Sequence, residues 1–171
     1  MANGAVSRVE TSMIWPRPPR NSPIVIWKKE YRQDSGGPGE FRGGLGQIME
    51  VSTLDTAPFA ISAYYDRVDH PPRGRDGGHN GMAGKVTLDD GTKLRGMGQQ
   101  TVPKKNRLII SMPGGGGLGS PRKRPAATVA EDVRQGFISS DAARRDYGVA
   151  VNDDFSVDES ATAKLRAQAA E

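Results

Sequence analysis

Residues Tyr31 to Gln47 read YRQDSGGPGEFRGGLGQ, and six of these seventeen residues are glycine. Apolar, β-favouring runs stand on both sides of the stretch, Ile24 to Trp27 before it and Ile48 to Val51 after it. Glycine loses more conformational entropy on folding than any other residue, but it lets another backbone or a ligand come close. The pattern therefore predicts a long, ordered connection between two strands rather than a flexible linker.

A second glycine-rich run lies in the second half of the chain. Arg107 to Met112 read RLIISM, and Pro113 to Pro121 read PGGGGLGSP. Four successive glycines permit a backbone nest whose amides point at an anion or a carbonyl oxygen, and they also permit close backbone packing. A nucleotide P-loop is excluded, because Pro121 and Pro125 precede any helix and no Gly-Lys-Ser/Thr ending follows. Of the two remaining interpretations, we favour packing against a neighbouring subunit.

Apolar and β-branched runs bounded by turn residues predict the strands of the fold. These runs are Ile24 to Tyr31, Gly46 to Leu54, Phe59 to Tyr65, Lys85 to Leu94 as a tight Asp-Gly hairpin, and Arg107 to Met112. Two short helices follow, one over Thr128 to Gly136 and one over Asp141 to Tyr147, with Ser139 or Ser140 as N-cap and Gly148 at the end. The predicted fold class is mainly β (α+β): β-hairpins and long Gly-rich loops followed by two short C-terminal helices.

Composition divides the chain into four parts. Residues 1–21 are rich in proline and predict an extended N-terminal arm, which either lies across a partner with Trp15 as its anchor or forms a disordered terminus. Residues 22–125 are predicted to form a β-rich domain with Gly-rich loops, and residues 126–150 a short helical pair. Residues 151–171 form a polar, alanine-rich tail, which has a helical lean and is expected to fray.

Length and composition limit the classes of protein to be considered. A chain of 171 residues suits one domain, and a hydrophobic fraction of 35% predicts a modest core that a partner surface completes. The absence of cysteine excludes disulfides and thiolate metal sites. No apolar run approaches the ~20 residues of a membrane span, and no signal peptide is recognisable, so a cytoplasmic location is expected.

The positive charge of the chain is concentrated in one region. Between Thr101 and Pro125 there are six basic residues and no acidic ones, although the net charge of the whole chain is only +4. The six are Lys104, Lys105, Arg107, Arg122, Lys123 and Arg124. Such a cluster either forms a solvated surface or attracts an anion or an acidic partner.

Both histidines lie in a proline- and glycine-rich loop, Asp66 to Gly81. His70 and His79, with a carboxylate such as Asp69, have the donor atoms that several divalent ions accept. Their spacing matches no ligand signature, so we predict structural or surface histidines and no metal site. The sequence shows no paired carboxylates, no nucleophile with a credible base and no nucleotide loop, so no residue is predicted to be catalytic.

Three runs occur in the same order as in one enzyme family. They are DSGGPGEFRGGLGQ, PGGGGLGSP and EDVRQGFISSDAARRDYGV, the last from Glu131 to Val149. Together they resemble the C-terminal part of the hydantoinase B/5-oxoprolinase B-type family, which includes the matching subunit of the ATP-dependent, biotin-independent acetone and acetophenone carboxylases. The resemblance covers roughly Asn21 to Asn152.

The resemblance implies a role in a heteromeric enzyme. It suggests a small subunit of an ATP-dependent hydantoinase/oxoprolinase-type amidohydrolase or biotin-independent carboxylase, completing the fold of a split B component. The implied partners are a large hydantoinase B-like subunit and an ATP-binding hydantoinase A-like subunit. ATP and a divalent metal are expected in those partners, with no cofactor bound by this chain. The runs IVIWKKEYRQDSGGPG and GQIMEV resemble the carboxylase branch of the family slightly more than the oxoprolinase branch. The alternatives are a basic, ribosomal-protein-like nucleic-acid-binding protein and a β-rich assembly factor.

If the enzyme forms a carboxyphosphate or a phosphorylated amide, the glycine loops and a nearby arginine are the candidate contacts. Arginine binds phosphate and carboxylate through a planar fork of donors, which lysine cannot reproduce. The candidates for substrate or anion contact are Asp34, Ser35, Gly36, Gly37, Arg42, Gly114, Gly115, Gly116 and Gly117.

Overall fold

The computed structural model of the protein describes residues 23–54 and 57–168. The predicted N-terminal arm, with its Trp15 anchor, lies outside the described residues. The described strands are β1 (Ile24–Tyr31), β2 (Gln47–Thr53), β3 (Phe59–Tyr64), β4 (Lys85–Leu88), β5 (Met97–Val102) and β6 (Leu108–Ser111). A 3₁₀ turn at Pro121–Lys123 precedes the helices α1 (Ala126–Arg134), α2 (Ser140–Tyr147) and α3 (Glu159–Ala167). The mainly β, α+β fold class is confirmed.

The strands form two antiparallel sheets. One has four strands in the order β1-β2-β6-β4, and the other pairs β3 with β5. Met49 lies opposite Ile110, which in turn lies opposite Val86. Because directly opposite residues share a face of a sheet, these three side chains form an apolar row. Phe59 and Val102, from the two-stranded sheet, belong to the same hydrophobic cluster, so the two sheets bury one core between them.

A second, separate core holds the helices together. Val129 and Val133 are one helical turn apart on α1 and face Ala143 and Tyr147 of α2 within one buried cluster. The side chain of Ser139 accepts a hydrogen bond from the Ala142 amide at 3.1 Å and begins α2. Gly148, with φ +62°, ends that helix in the left-handed conformation. The predicted cap at Ser139 and the predicted stop at Gly148 are both confirmed.

A third helix lies within the polar tail, where the sequence predicted fraying. The Asp158 carboxylate caps α3 by accepting from the Ala161 amide at 2.9 Å. The Arg122 guanidinium donates to the Leu165 carbonyl oxygen at 2.8 Å, near the end of the helix. The Arg166 side chain donates to the Arg124 carbonyl oxygen at 2.7 Å. These contacts reach back more than 40 residues along the chain, so the local sequence does not reveal them.

Two strand predictions differ from the structure. β5 was not predicted, because its sequence MGQQTV is polar and most of its residues are exposed. The hairpin predicted for Lys85 to Leu94 has the expected turn, with Gly91 at φ +88°. Its second arm is reduced to a single bridge between Thr87 and Lys93. Among the described residues, no helix is long and apolar enough to cross a membrane.

The long connection between β1 and β2 is closed at its base by a buried serine. The Arg32 amide donates to the Gly46 carbonyl oxygen at 2.9 Å and extends the ladder beyond the strand ends. The Ser35 hydroxyl accepts from the Gly46 amide at 2.9 Å and donates to the Arg32 carbonyl oxygen. Ser35 is fully buried, so its hydroxyl supplies an acceptor to the buried Gly46 amide where water has little access.

Replacing Ser35 with alanine should destabilise the protein. The S35A variant leaves the buried Gly46 amide without an acceptor, which costs about 1–3 kcal/mol of the free energy of unfolding. Denaturant titration of the purified chain measures this loss. Ser62 is an exposed serine on β3, and S62A is the matched control, expected to stay within about 0.5 kcal/mol of wild type. Equal stability of the two variants would contradict this role of Ser35.

Candidate functional site

Three extended, glycine-rich segments lie side by side at one end of the four-stranded sheet. They comprise residues 35–46, 72–84 and 113–119, and hydrogen bonds between their backbones join them. The Gly37 amide donates to the Gly115 carbonyl oxygen, and the Gly115 amide donates to the Gly44 carbonyl oxygen, both at 2.8 Å. The Gly117 amide donates to the His79 carbonyl oxygen at 2.9 Å. We call this arrangement the glycine bundle.

Close approach, rather than a turn, requires the glycines of the bundle. A Cβ atom at Gly114 would lie within 3.0 Å of the Ser35 carbonyl oxygen, and one at Gly117 within 3.0 Å of the Pro38 carbonyl oxygen. Real Cβ atoms do not approach a backbone so closely. None of the described glycines from Gly114 to Gly117 has a positive φ. The missing side chain therefore makes room for a neighbouring segment.

The glycines predicted to contact a substrate or an anion lie inside this bundle. The amides of Gly37, Gly114, Gly115 and Gly117 all donate to carbonyl oxygens of the chain itself. Those four amides are therefore engaged in internal packing. The close backbone packing predicted for the second glycine run is present, but the segments it packs against belong to the same chain, not to a neighbouring subunit.

Asp34 and Ser35 fix the first glycine segment in place. Asp34 has a positive φ of 59°, and its amide donates to the Phe137 carbonyl oxygen at 3.0 Å. Its carboxylate accepts from the Ser139 amide at 2.8 Å, at the start of α2. Ser35 closes the base of the connection. Asp34 thus ties the bundle to the helices, and Ser35 ties it to the sheet.

A cluster of two arginines around one carboxylate also joins the bundle to the helices. Arg42 Nε lies 3.3 Å and an Arg124 terminal nitrogen 2.8 Å from the same oxygen of Asp132, which projects from α1. All three side chains are largely buried, with exposed fractions of 14%, 13% and 10% for Arg42, Arg124 and Asp132. The Arg42 guanidinium also lies 5.4 Å from the centre of the Phe137 ring. Arg42 therefore has an internal partner, which lies 90 residues away in sequence.

Tyr147 lies beside this cluster. The side chain is 1% exposed, and its hydroxyl has no hydrogen-bond partner among the described residues. Burial raises the pKa of Tyr147 to about 12, while the positive charges of Arg124 and Arg42 act in the opposite direction. The hydroxyl is therefore neutral at physiological pH.

A cleft of about 240 Å³ lies where the bundle meets α2. Of the predicted contact residues, Asp34 and Gly36 line the cleft, whereas Ser35, Gly37, Arg42 and Gly114 to Gly117 do not. Its other lining residues are Pro38, His79, Asn80, Met82, Ile138, Ala142, Arg145, Asp146 and Tyr147. The Arg145 guanidinium pairs with the Asp146 carboxylate at 2.8 Å. The cleft therefore offers an imidazole, two carboxylates and a guanidinium, a set that suits polar ligands.

Sequence reasoning missed most of this cleft. His79 was interpreted as a structural or surface histidine, and Arg145, Asp146 and Tyr147 only as parts of a helix. The contact of the Asp34 carboxylate with the start of α2 brings these side chains to the first glycine segment, across 105 residues of sequence. Among the described residues, no group of three or more histidines and carboxylates is arranged to hold a metal ion.

Comparison with known proteins places this architecture in a class. A solved structure of the ATP-dependent caprolactamase from Pseudomonas jessenii superimposes with a TM-score of 0.70 and 31% sequence identity, over 85% of this chain and 26% of that chain. A nucleotide-free structure of acetone carboxylase shares the fold, with a TM-score of 0.55 and 20% identity, over 86% of this chain and 25% of that chain. The fold of this chain therefore corresponds to about a quarter of each of these two longer chains.

Sequence comparison gives the family. The family model described as Hydantoinase B/oxoprolinase matches residues 19–121. The chain is 36% identical over 153 residues to the caprolactamase subunit beta of Pseudomonas jessenii, covering 85% of this chain and 26% of that subunit. It is 35% identical over 102 residues to 5-oxoprolinase 1 of Arabidopsis thaliana, covering 57% of this chain and 8% of that protein. The chain belongs to the Hydantoinase B/oxoprolinase family and spans 26% of the length of the caprolactamase subunit.

The glycine bundle predicts opposite effects for two neighbouring substitutions. Gly43→Ala would place a Cβ atom within 3.0 Å of the Gly115 carbonyl group, so it should lower the free energy of unfolding by about 3 kcal/mol or more. Gly44 has nothing within 4 Å of a built Cβ atom and no positive φ. Gly44→Ala should therefore stabilise the protein by about 0.4–1 kcal/mol, because it restricts the unfolded chain.

Denaturant titration of both variants measures the difference. Since Gly43 and Gly44 are adjacent in sequence, local helix or strand propensity cannot account for effects of opposite sign. Similar stabilities of G43A and G44A would show that close backbone approach does not determine the need for glycine in this segment.

The buried Tyr147 hydroxyl predicts a loss of stability at alkaline pH. Its pKa is about 12 in the folded protein, against an ordinary value of 10.0. The neutral hydroxyl therefore stabilises the fold fully below pH 10, and this contribution of roughly 2 kcal/mol is lost as the pH rises towards 12. Tyr147→Phe should remove that pH dependence without lowering stability at pH 7, because the hydroxyl has no described partner.

The measurement is denaturant unfolding at pH 7, 9.5 and 11.5 for wild type and Y147F. A clear loss of stability in Y147F at pH 7 would mean that the hydroxyl makes a necessary hydrogen bond. The exposed Tyr64 provides a control, since Y64F should match wild type at pH 7.

Proposed function

We propose that this chain works inside a heteromeric ATP-dependent enzyme of the hydantoinase/oxoprolinase or biotin-independent carboxylase type. In that enzyme it completes the fold of a B-type component and carries no complete catalytic centre of its own. The observation that carries the proposal is the superposition on the caprolactamase structure, over 85% of this chain and only 26% of that chain. A region that forms a quarter of a larger enzyme chain is suited to a structural and positioning role.

Exposed apolar side chains support a role within an assembly. Trp27, on β1, is 53% exposed, and Tyr64, on β3, is 79% exposed. β1 lies at an edge of its sheet as far as the described residues extend. Large exposed apolar groups on an edge strand are typical of surfaces that contact another polypeptide. The proposed partners are a large hydantoinase B-like subunit and an ATP-binding hydantoinase A-like subunit.

ATP and a divalent metal are proposed to bind to those partner subunits. Within this chain, the cleft is the proposed point of contact with the reaction chamber, because it contains two of the predicted contact residues, Asp34 and Gly36. Arg42 would act indirectly, by holding the first glycine segment against α1 through Asp132. The branch of the reaction, hydrolase or carboxylase, and the cytoplasmic location stay predictions from the sequence.

The basic segment from Thr101 to Pro125 gives little support to nucleic-acid binding. Three of its six basic side chains have partners within the chain. The Arg107 guanidinium lies 4.7 Å from the centre of the Trp27 ring. Arg122 donates to a carbonyl oxygen of α3, and Arg124 pairs with Asp132. A nucleic-acid surface needs cations that are free to contact phosphates.

Purification from the native host tests the proposal. The tagged chain should recover A-like and B-like chains, identified by mass spectrometry, and the complex should turn over ATP with a lactam, a hydantoin or a ketone. In the reconstituted complex, Arg42→Lys should lower turnover by about tenfold or more, because lysine cannot span Asp132 and the Gly43 carbonyl oxygen together.

Arg134→Lys is the matched control, because Arg134 is an exposed arginine on α1 that pairs with nearby Glu131. It should leave turnover within about twofold of wild type. Near-normal turnover of R42K would show that the contact of Arg42 with Asp132 is not needed for activity. Recovery of RNA or DNA whose binding falls steeply with salt, without A-like or B-like chains, would overturn the proposed function itself.

A further inference from the structure

Residues 151–157 form a tight turn between α2 and α3. Val151 and Val157 are joined by an antiparallel bridge, and the Asn152 amide donates to the Ser156 carbonyl oxygen at 2.9 Å. The Asp154 carboxylate accepts from both the amide and the hydroxyl of Ser156, at 3.0 and 2.6 Å. Hydrogen bonds within the turn hold its tip, and Val151 and Val157 pack at its base against the helical core.

The tip of this turn carries a phenylalanine in an unfavourable backbone conformation. Phe155 has a φ of +64° and a side chain that is 45% exposed. A positive φ is favourable for glycine and tolerated by asparagine or aspartate, but it is strained for a bulky residue. Of the five described non-glycine residues with positive φ, Phe155 is the only apolar one. Strain of this kind in a solvent-facing aromatic residue points to a role outside the fold.

The sequence on both sides of Phe155 is acidic, and we call its four carboxylates, Asp153, Asp154, Asp158 and Glu159, the acidic rim. Between Val149 and Ala163 there are four acidic residues and no basic ones. Hydrogen bonds from Ser156 lower the pKa of Asp154, and hydrogen bonds from the Ala161 amide and Ser160 lower that of Asp158, so both carboxylates are ionised at neutral pH. An acidic rim repels the anionic surface of a membrane and attracts a basic one.

We propose that Phe155 is an anchor that inserts into an apolar pocket rimmed by basic residues on the B-type partner chain. This inference rests on the proposed function and names the partner surface within it. Aromatic residues held in one conformation contribute strongly at interfaces, because little side-chain or loop freedom is lost on binding. The hydrogen bonds within the turn fix the backbone that carries the ring, and the acidic rim is complementary in charge to the surface that would receive it.

The test compares stability with partner affinity in the same variants. Phe155→Gly and Phe155→Asn remove the ring and suit the positive φ, so each should raise the melting temperature of the isolated chain by about 2–4 °C. Both should weaken binding to the purified B-type chain, first identified by co-purification with wild type, by at least about tenfold. Phe155→Tyr keeps an aromatic ring under the same strain and should match wild type in both measurements.

Asp153→Asn tests the acidic rim. Asp153 is exposed, and its replacement should reduce the salt dependence of binding between 50 and 200 mM salt while leaving the melting temperature unchanged. Binding of F155G or F155N as tight as that of wild type would overturn the inference while leaving the proposed function standing. A fall in melting temperature in both variants would also overturn it, since the ring would then serve the fold of this chain.

Two further outcomes separate this inference from the proposed function. If the wild-type chain binds no B-type chain, the proposed function is wrong, and the choice of partner is wrong with it. If light scattering shows that the isolated chain dimerises through Phe155, with F155G monomeric, the anchor serves a second copy of this chain and the B-type partner is excluded.

Discussion

The structure depends on the close approach of three backbone segments in the glycine bundle. Ordering so many glycines costs conformational entropy, because each has more freedom to lose than another residue. The compensation comes from hydrogen bonds between the segments, which satisfy backbone groups that would otherwise be buried without partners. Gly115, for example, accepts from the Gly37 amide and donates to the Gly44 carbonyl oxygen. One residue of the third segment thus contacts two parts of the first segment. The bundle thus continues the backbone hydrogen bonding of the sheet, at separations between segments that leave no room for side chains.

The helices follow from the bundle. Asp34, which directly precedes the first glycine segment, has a positive φ. Its carboxylate accepts a hydrogen bond from the Ser139 amide, where α2 begins. Arg42 follows Pro38 in the first glycine segment, and its guanidinium donates to the Asp132 carboxylate on α1. A single buried carboxylate between two guanidinium groups is costly to disrupt, because loss of the acid would leave two buried positive charges facing each other. The cleft is lined by residues of the bundle and of α2, so both parts set its shape.

Local sequence patterns predicted those parts of the fold that local forces decide. The limits of β1 agree with the strand predicted from Ile24 to Tyr31, and the cap at Ser139 follows from ordinary hydrogen-bonding chemistry. β5 was missed because most of its residues are exposed and polar, so that Val102 alone does not make an apolar pattern. The position of α3 depends on arginines more than 40 residues away. In the candidate site, Asp34 and Gly36 were predicted, whereas the role of Tyr147 depends on contacts that no local pattern encodes.

The composition of the bundle also explains why apolar side chains remain at the surface. Glycine segments bury backbone against backbone, so they provide few side chains to cover neighbouring apolar groups. Phe41 and Leu118 face each other across an isolated bridge in the bundle, yet they remain 64% and 43% exposed. Within the described residues, no further segment lies over them closely enough to bury either ring or side chain. The backbone of the bundle is held by its own hydrogen bonds, but the apolar side chains on it stay in contact with water. Exposed apolar groups of this kind favour a function within a larger assembly that covers them.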